Sequence, residues 1–369
     1  MMLNPRILTP YDIAGRSLNN RLAVAPMTRV SATETGHVTR EMARYYQRFA
    51  QGGFGLVITE GIYTDQKYSQ GYPFQPGITD DQQAQAWRMV TDSIHAHQGA
   101  VFAQIMHAGA LSQGNRFVDI PAAPSALRPK GEQMKFYYGA GQYPVPRAMT
   151  EEDIADAIEG FAQAATLAIR SANFDGIELH GANGYLLDQF LTDYTNQRND
   201  RWGGSVQARI YLTLEVIKAV RKAVGSVPVG VRISQSKVND YTHKWAAGEE
   251  AAEVIFSSLD DAGVDFIHVT EFEAWKPAFP RGHDSLVSLS RRYAPQVTLI
   301  ANGGLHTPAH ASSVMEEGAD IIAIGKAALA NPDLPGRLAR KEALHEFDAS
   351  ILAPIANIKS SELALSQEQ

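Results

Sequence analysis

A (β/α)8 barrel of the TIM type, an α/β fold in a single domain, is the architecture this sequence predicts, and three observations carry the prediction. Eight short apolar runs recur along the chain without clean polar alternation, as strands covered on both faces of a parallel sheet do. Helical patterns separate them, so that strand and helix alternate throughout. The Gly-x-Gly-x-x-Gly fingerprint usual after the first strand of an open, doubly wound sheet is absent. The length of 369 residues, 44% of them hydrophobic, would also allow two domains, but eight β/α units fit one closed barrel over residues 1–369 better.

The apolar runs are Leu22–Ala25, Gly55–Thr59, Ala100–Ile105, Gly176–Leu179, Val229–Ile233, Phe266–Val269, Val297–Ala301 and Ile321–Ile324. Helices are expected over Thr39–Gln51, Asp80–Gln98, Thr150–Ala172, Ser205–Val224, Gly248–Ala262, Pro308–Glu317 and Pro332–Glu346. The third has the clearest start, with Thr150 as N-cap and Asp153 three residues on. It sets Ile154, Ile158, Phe161, Ala165 and Ile169 on one stripe. Gly99, Gly225, Gly263 and Gly318 follow helices, where a left-handed C-terminal residue is favoured. One stretch breaks the rhythm. Residues 110–147 hold Pro121, Pro124, Pro129, Pro144 and Pro146 beside Phe136, Tyr137 and Tyr138, too long for a plain βα loop, and are expected to form an inserted loop or hairpin over the barrel mouth.

Composition narrows the function. A net charge of −7 with scattered basic residues argues against a nucleic-acid surface. The absence of cysteine removes disulfides, thiolate metal sites, iron–sulfur clusters and a cysteine nucleophile. The start lacks a signal-peptide core and no run approaches a membrane span, so a cytoplasmic protein is expected. No His-Glu-x-x-His, Gly-x-Ser-x-Gly or Walker sequence is present, and no metal site is expected.

In such a barrel the active site lies at the C-terminal strand ends. Reading past each run in turn gives Pro26, Met27, Thr28 and Arg29; Glu60 and Gly61; Gln104 and His107; His180, Asn183 and Tyr185; Arg232; Thr270 and Glu271; Asn302, Gly303 and Gly304; and Gly325 and Lys326. Glycines after strand seven and a Gly–Lys pair after strand eight stand where these barrels commonly hold a phosphate. Gln104 can both donate and accept, as a ring with imide edges requires, and Arg232 would set a positive charge near that ring. Taken singly, Gly303–Gly304 equally suit a tight turn, Arg232 an ion pair, and His180 with Asn183 a capped loop. Taken as a set, with neither metal nor nucleophile in sight, they are best explained by an organic, phosphate-bearing cofactor.

The same residues carry a family resemblance. Asn20 to Arg29 (NRLAVAPMTR), His180 to Leu186 (HGANGYL), Asn196-Gln197-Arg198, Gly203-Gly204-Ser205, Gly325 and Asn331 to Leu334 (NPDL) span nearly the whole barrel in order. On these motifs the chain resembles the old yellow enzymes, FMN-dependent ene-reductases built on a (β/α)8 barrel. The resemblance implies non-covalently bound FMN, NAD(P)H as hydride donor with NADPH favoured, a small activated alkene as substrate, and a monomer or homodimer. It implies that Pro26, Met27 and Thr28 line the flavin, that Gly61, Gln104 and Arg232 contact its ring, and that Asn302 lies beside the Gly303, Gly304, Gly325 and Lys326 phosphate site. His180 and Asn183 would bind the carbonyl oxygen of the alkene, with Tyr72 and Met106 beside them, and Tyr185 would donate the proton.

The chain also departs from the family's pattern. Lys326 stands where Arg is usual, Met106 where relatives often have Trp, and Ala110 in place of the Arg of His-x-Gly-Arg. After Leu344 the aromatic tail motif is missing. The rival readings are another flavin barrel, akin to the dienoyl-CoA reductases or amine dehydrogenases, and a non-catalytic flavin-binding barrel. The lack of cysteine counts against versions that need an iron–sulfur cluster or a cysteinyl flavin.

Overall fold

The computed structural model describes residues 4–364. Eight parallel strands close on themselves: β1 (Leu22–Val24), β2 (Leu56–Ile58), β3 (Ala100–Met106), β4 (Gly176–Asn183), β5 (Val229–Lys237), β6 (Phe266–Thr270), β7 (Thr298–Asn302) and β8 (Ile321–Ile324). Each bonds to the next in sequence, and β8 bonds to β1, which completes the barrel. The main helices between them are α1 (Arg40–Gln51), α2 (Asp81–His95), α3 (Glu151–Arg170), α4 (Tyr211–Val224), α5 (Glu249–Asp261), α6 (Leu286–Tyr293) and α7 (Pro308–Glu316).

Period-two alternation sorts the strand side chains into two cores. Outward residues such as Leu22, Val57, Val101, Ile177, Val231, Ile267 and Ile322 pack with the helices in one large cluster. Inward residues Ala23, Leu56, Phe102, Phe266, Ile300 and Ile321 form a second cluster inside the barrel. An antiparallel hairpin, Tyr11–Ile13 with Arg16–Leu18, adds Ile13 and Leu18 to this inner cluster and so stoppers the N-terminal end. The rings of Phe102 and Phe266 lie 5.5 Å apart at its centre. Gly176 and Gly230 make room for them, since a Cβ there would come within 2.7 and 2.4 Å of those rings. Above this plug the inward positions turn polar.

Several elements form for the local reasons expected. Thr150 and Asp153 build a reciprocal capping box at α3, with Ile154, Phe161 and Ala165 buried and Ile158 and Ile169 half-buried beside them. Ser205 caps the turn Val206–Arg209, but the helix expected from there to Val224 is interrupted at Ile210 before α4 begins. Gly225, Gly263 and Gly318 have positive φ, whereas the left-handed residue after α2 is Gln98, not Gly99. The helix expected over Pro332–Glu346 is shorter, Leu334–Arg340, and stops at left-handed Lys341. Helix α6 was not anticipated, because two turns with only Leu286, Val287 and Leu289 as apolar anchors leave little periodic signal.

The 110–147 excursion is tied down at its base by Ala122–Ala123 pairing with Arg147–Ala148. That pairing is parallel, so it is not a hairpin, and an antiparallel bridge joins Glu132 to Gln142 further out. A C-terminal stretch, Ala349–Leu352 followed by Ser360–Ala364, returns across the structure to pack on α1. Its anchor is a buried ionic knot. Glu362 accepts from Arg29 Nη1 and Nη2 at 2.8 and 2.5 Å and from Arg48 Nη2 at 3.3 Å.

Candidate active site

The C-terminal strand ends surround a cavity of about 310 Å3. Pro26, Met27, Thr28, Gly61, Gln104, Met106, His180, Asn183, Tyr185, Arg232, Asn302, Gly325 and Lys326 all line it. Of the residues to which the family resemblance gave a role there, Tyr72, Gly303 and Gly304 are not in the lining, and of the other strand-end residues neither are Glu60, His107, Thr270 and Glu271. Tyr72 is fully buried one layer back and reaches the cavity through a short hydrogen bond between its hydroxyl and that of Tyr185. Gly303 and Gly304 have φ of +133° and +66°, and a Cβ would sit 1.9 Å from the Glu271 carbonyl oxygen or 2.8 Å from the Trp275 ring. Packing alone therefore demands glycine at both positions. Two other cavities, of about 240 and 320 Å3, include none of Gln104, His180 and Arg232.

The strands place these groups by alternation and register. Gln104 aligns with Glu178, His180 with Arg232, and Thr270 with Asn302, so the inward side chains form one tiered polar patch. Strands β3, β4 and β5 run further than their apolar runs suggested, to Met106, Asn183 and Lys237, which is what carries His180 and Asn183 to the rim. Asn183 ends its strand at φ +62°, a conformation asparagine tolerates better than most residues, and its backbone N–H donates to Ser234 Oγ at 2.8 Å.

His180 is buried, and its imidazole is held well below its usual pKa by that burial and by the nearby Arg232 and His268. It is therefore neutral at pH 7. Its Nδ1 accepts from the Ala182 N–H at 3.4 Å, which assigns the proton to Nε2 and leaves that atom as a donor. The ring lies 4.9 Å from that of Tyr185. Burial pushes the Tyr185 phenol far above its usual range, so it keeps its proton at neutral pH.

Arg232, 5% exposed, donates through Nη2 to Asn302 Oδ1 at 2.8 Å and Thr270 Oγ1 at 3.2 Å. Asn302 in turn donates to the Ala323 carbonyl at 2.9 Å. Buried Arg232 Nε has no hydrogen-bond partner among the described residues. Gly61 keeps the facing wall open, because a Cβ there would meet Met106 Sδ at 2.0 Å. At the far end Gly325 caps the short helix Lys326–Ala330, and the exposed Lys326 ammonium lies 5.9 Å from the Phe347 ring.

Sequence reasoning gave no site role to residues of two kinds, although the excursion with Phe136 and Tyr137 was expected over the barrel mouth. From outside the barrel, Met134, Phe136 and Tyr137 of the excursion and Leu352 of the C-terminal stretch join the lining. No strand-end rule points to them. From inside, Glu178 and His268 lie fully buried two positions before His180 and Thr270 on the same inward faces. Their signal was present, as single titratable residues within otherwise apolar runs. Glu60, at the end of β2, is also fully buried and accepts from the Arg29 N–H at 3.0 Å and the Tyr46 hydroxyl at 3.1 Å.

Known proteins share this arrangement from end to end. Residues 6–345 match the profile of the NADH:flavin oxidoreductase / NADH oxidase family. A probable flavin mononucleotide-dependent alkene reductase of Leishmania infantum is 35% identical over 353 residues, covering 93% of this chain and 92% of its own. The 12-oxophytodienoate reductase 2 of Arabidopsis thaliana is 33% identical over 350 residues, covering 93% and 91%. The solved structure of an old yellow enzyme homologue from Zymomonas mobilis superposes with a TM-score of 0.88 at 29% identity, covering 99% of both chains. Morphinone reductase in complex with tetrahydroNAD gives 0.82 at 32% identity, covering 95% of this chain and 94% of that one. Full-length sequence matches, the closed parallel barrel and the polar cavity at its C-terminal end agree: the chain belongs to the NADH:flavin oxidoreductase / NADH oxidase family, that of the old yellow enzymes, and is a flavin-dependent oxidoreductase.

Proposed function

We propose that this protein is an ene-reductase that uses NAD(P)H, with NADPH favoured, to reduce a small alkene activated by a carbonyl or nitro group. The residues present fit FMN. Gln104, Thr28 and the unpartnered Nε of Arg232 offer the mixed donors and acceptors that a pyrimidine edge with two carbonyls and an N–H needs. Pro26, Met27 and Gly61 supply apolar or bare wall, and Gly325 with Lys326 leads to an exposed cationic end suited to a phosphate. When bound, FMN supplies a two-electron carrier that takes hydride from NAD(P)H and passes it to the β-carbon of the alkene.

The remaining chemistry belongs to the chain. His180, donating from Nε2, and the Asn183 carboxamide stabilise the negative charge that develops on the substrate oxygen, as an oxyanion hole does. Tyr185 delivers the proton to the α-carbon, and Tyr72 holds the Tyr185 hydroxyl in place. Met106 shapes the substrate side of the pocket. The buried His180 imidazole against the buried Tyr185 phenol, with ring centroids 4.9 Å apart at the cavity wall, is the observation that carries this reading. We take the described residues of the expected 1–369 domain as one FMN-binding barrel, with 110–147 as a cover over its mouth; residues 1–3 and 365–369 lie outside the described residues. The assignments of monomer or homodimer, cytoplasm, and no nucleic-acid partner belong to the same proposal. Among the described residues no helix is long and apolar enough to cross a membrane.

The test is anaerobic. Purified protein should carry or take up FMN, lose its flavin colour on titration with NADPH, and regain it with cyclohexenone, an N-substituted maleimide or a nitroalkene. Reduced flavin that none of these alkenes reoxidises would defeat the proposal.

A further inference from the structure

Directly beneath the cavity, three side chains from strands β3, β4 and β6 form a linear chain of hydrogen bonds. Gln104 Nε2 donates to Glu178 Oε1 at 2.8 Å, and His268 Nδ1 lies 2.7 Å from Glu178 Oε2. All three are at most 1% exposed. A carboxylate can only accept, so Glu178 dictates the orientation of both neighbours. Gln104 must present its NH2 downward and His268 must present Nδ1–H. The Gln104 carboxamide oxygen is then turned to the other side, where it sits 3.5 Å from the point a Gly61 Cβ would occupy, on the cavity wall.

We infer that Glu178, oriented by His268, is a positioning residue that locks the Gln104 carboxamide with its oxygen toward the cavity, so that the floor of the site accepts the imide N–H of a flavin pyrimidine. The inference rests on the FMN reading of the cavity. With the amide reversed, an N–H donor would face the N–H of the ring, one hydrogen bond would be lost, and two donors would be left without acceptors in a dry site. A lone glutamine pays little to turn over, since its two ends are nearly the same shape. A buried carboxylate beside it removes that freedom. Glu178 also has a neighbour of opposite sign in Arg232, one tier up and on the barrel's inner face, which offsets its charge where the ring would lie.

The test is a cycle of FMN affinities, read by flavin fluorescence on titration into apoprotein. Glu178→Met keeps the length of the side chain and removes the acceptor. It should weaken FMN binding about tenfold with Gln104 intact, but less than about threefold when Gln104→Leu is already present. Glu178→Gln retains a carboxamide oxygen that can accept from Gln104, and should return affinity to within about threefold of wild type. If Glu178→Met does not fold, the same comparison is made with Glu178→Met and His268→Leu together, an apolar replacement of both partners that buried polar pairs commonly tolerate. An equal loss with and without Gln104→Leu would show a general role in barrel packing and overturn the inference, as would no loss in either. Wild-type apoprotein that fails to bind FMN would overturn the cofactor reading itself, and the inference with it.

Discussion

Removing Glu362 should loosen the C-terminal stretch and, with it, one wall of the cavity. The carboxylate is 2% exposed and stands between the guanidinium groups of Arg29 and Arg48, also at most 2% exposed. Burial alone would raise its carboxyl, but Arg29, the Lys359 N–H and Arg48 together draw it below the usual carboxylate range. Glu362→Ala strands two buried cations. Deleting one partner of a buried pair costs about 3–5 kcal/mol. Arg29 retains the Ala356 and Asn357 carbonyls at 3.0 and 3.1 Å, and Arg48 retains the Glu362 carbonyl at 2.7 Å, so the low end, about 3 kcal/mol, applies here. The chain has a cheaper escape than global unfolding, because the terminal stretch can peel away and hydrate both cations. Leu352 would leave the cavity lining, and the bond from the Ala356 N–H to the Phe136 carbonyl at 2.8 Å would break. Urea unfolding combined with limited proteolysis separates these outcomes. Either a global loss near 3 kcal/mol or early cleavage within residues 349–364 is expected. A variant within about 1 kcal/mol of wild type and equally resistant to protease would refute the reasoning.

Burial raises the Glu60 carboxyl from 4.5 to about 7. The folded state then binds more protons than the unfolded state between those values, so this group costs stability as pH rises through the window, by at most about 3 kcal/mol. Glu60→Gln should flatten that part of the pH–stability curve in denaturant melts, and an unchanged slope would rule the assignment out. Lys326→Ala removes the exposed cation at the proposed phosphate end and should raise the dissociation constant of FMN about three- to tenfold by ultrafiltration. His180→Ala should weaken phenolate ligands about tenfold, with Asn183 left as the second donor; full retention in an absorbance titration would remove His180 from the carbonyl site.

Strand ends were legible because barrels of this kind expose their chemistry there, and a short apolar run followed by His180, Asn183 and Tyr185 announces itself locally. The same local view cut β4 at Leu179, although Glu178 already broke the apolar run, and therefore passed over the deeper polar tier that Glu178 and His268 form. Recovering that tier needs the inward alternation and the register between strands, which only closure of the barrel fixes. The Arg29–Glu362 knot lies further still from sequence reasoning, since its partners are 333 residues apart and Glu362 belongs to no motif. Tyr72 illustrates the intermediate case. The family resemblance put it near the substrate, whereas the fold sets it behind Tyr185 as a hydrogen-bond partner.

That Tyr185 is the acid in alkene reduction is tested by Tyr185→Phe. The substitution keeps the ring against His180 and removes only the ionisable proton. Rapid mixing under anaerobic conditions should show flavin reduction by NADPH close to the wild-type rate, and reoxidation by cyclohexenone slower by about 10²-fold or more, the range in which a positioned general acid acts. Reoxidation by cyclohexenone at the wild-type rate would assign the proton to another donor and remove Tyr185 from the role of acid.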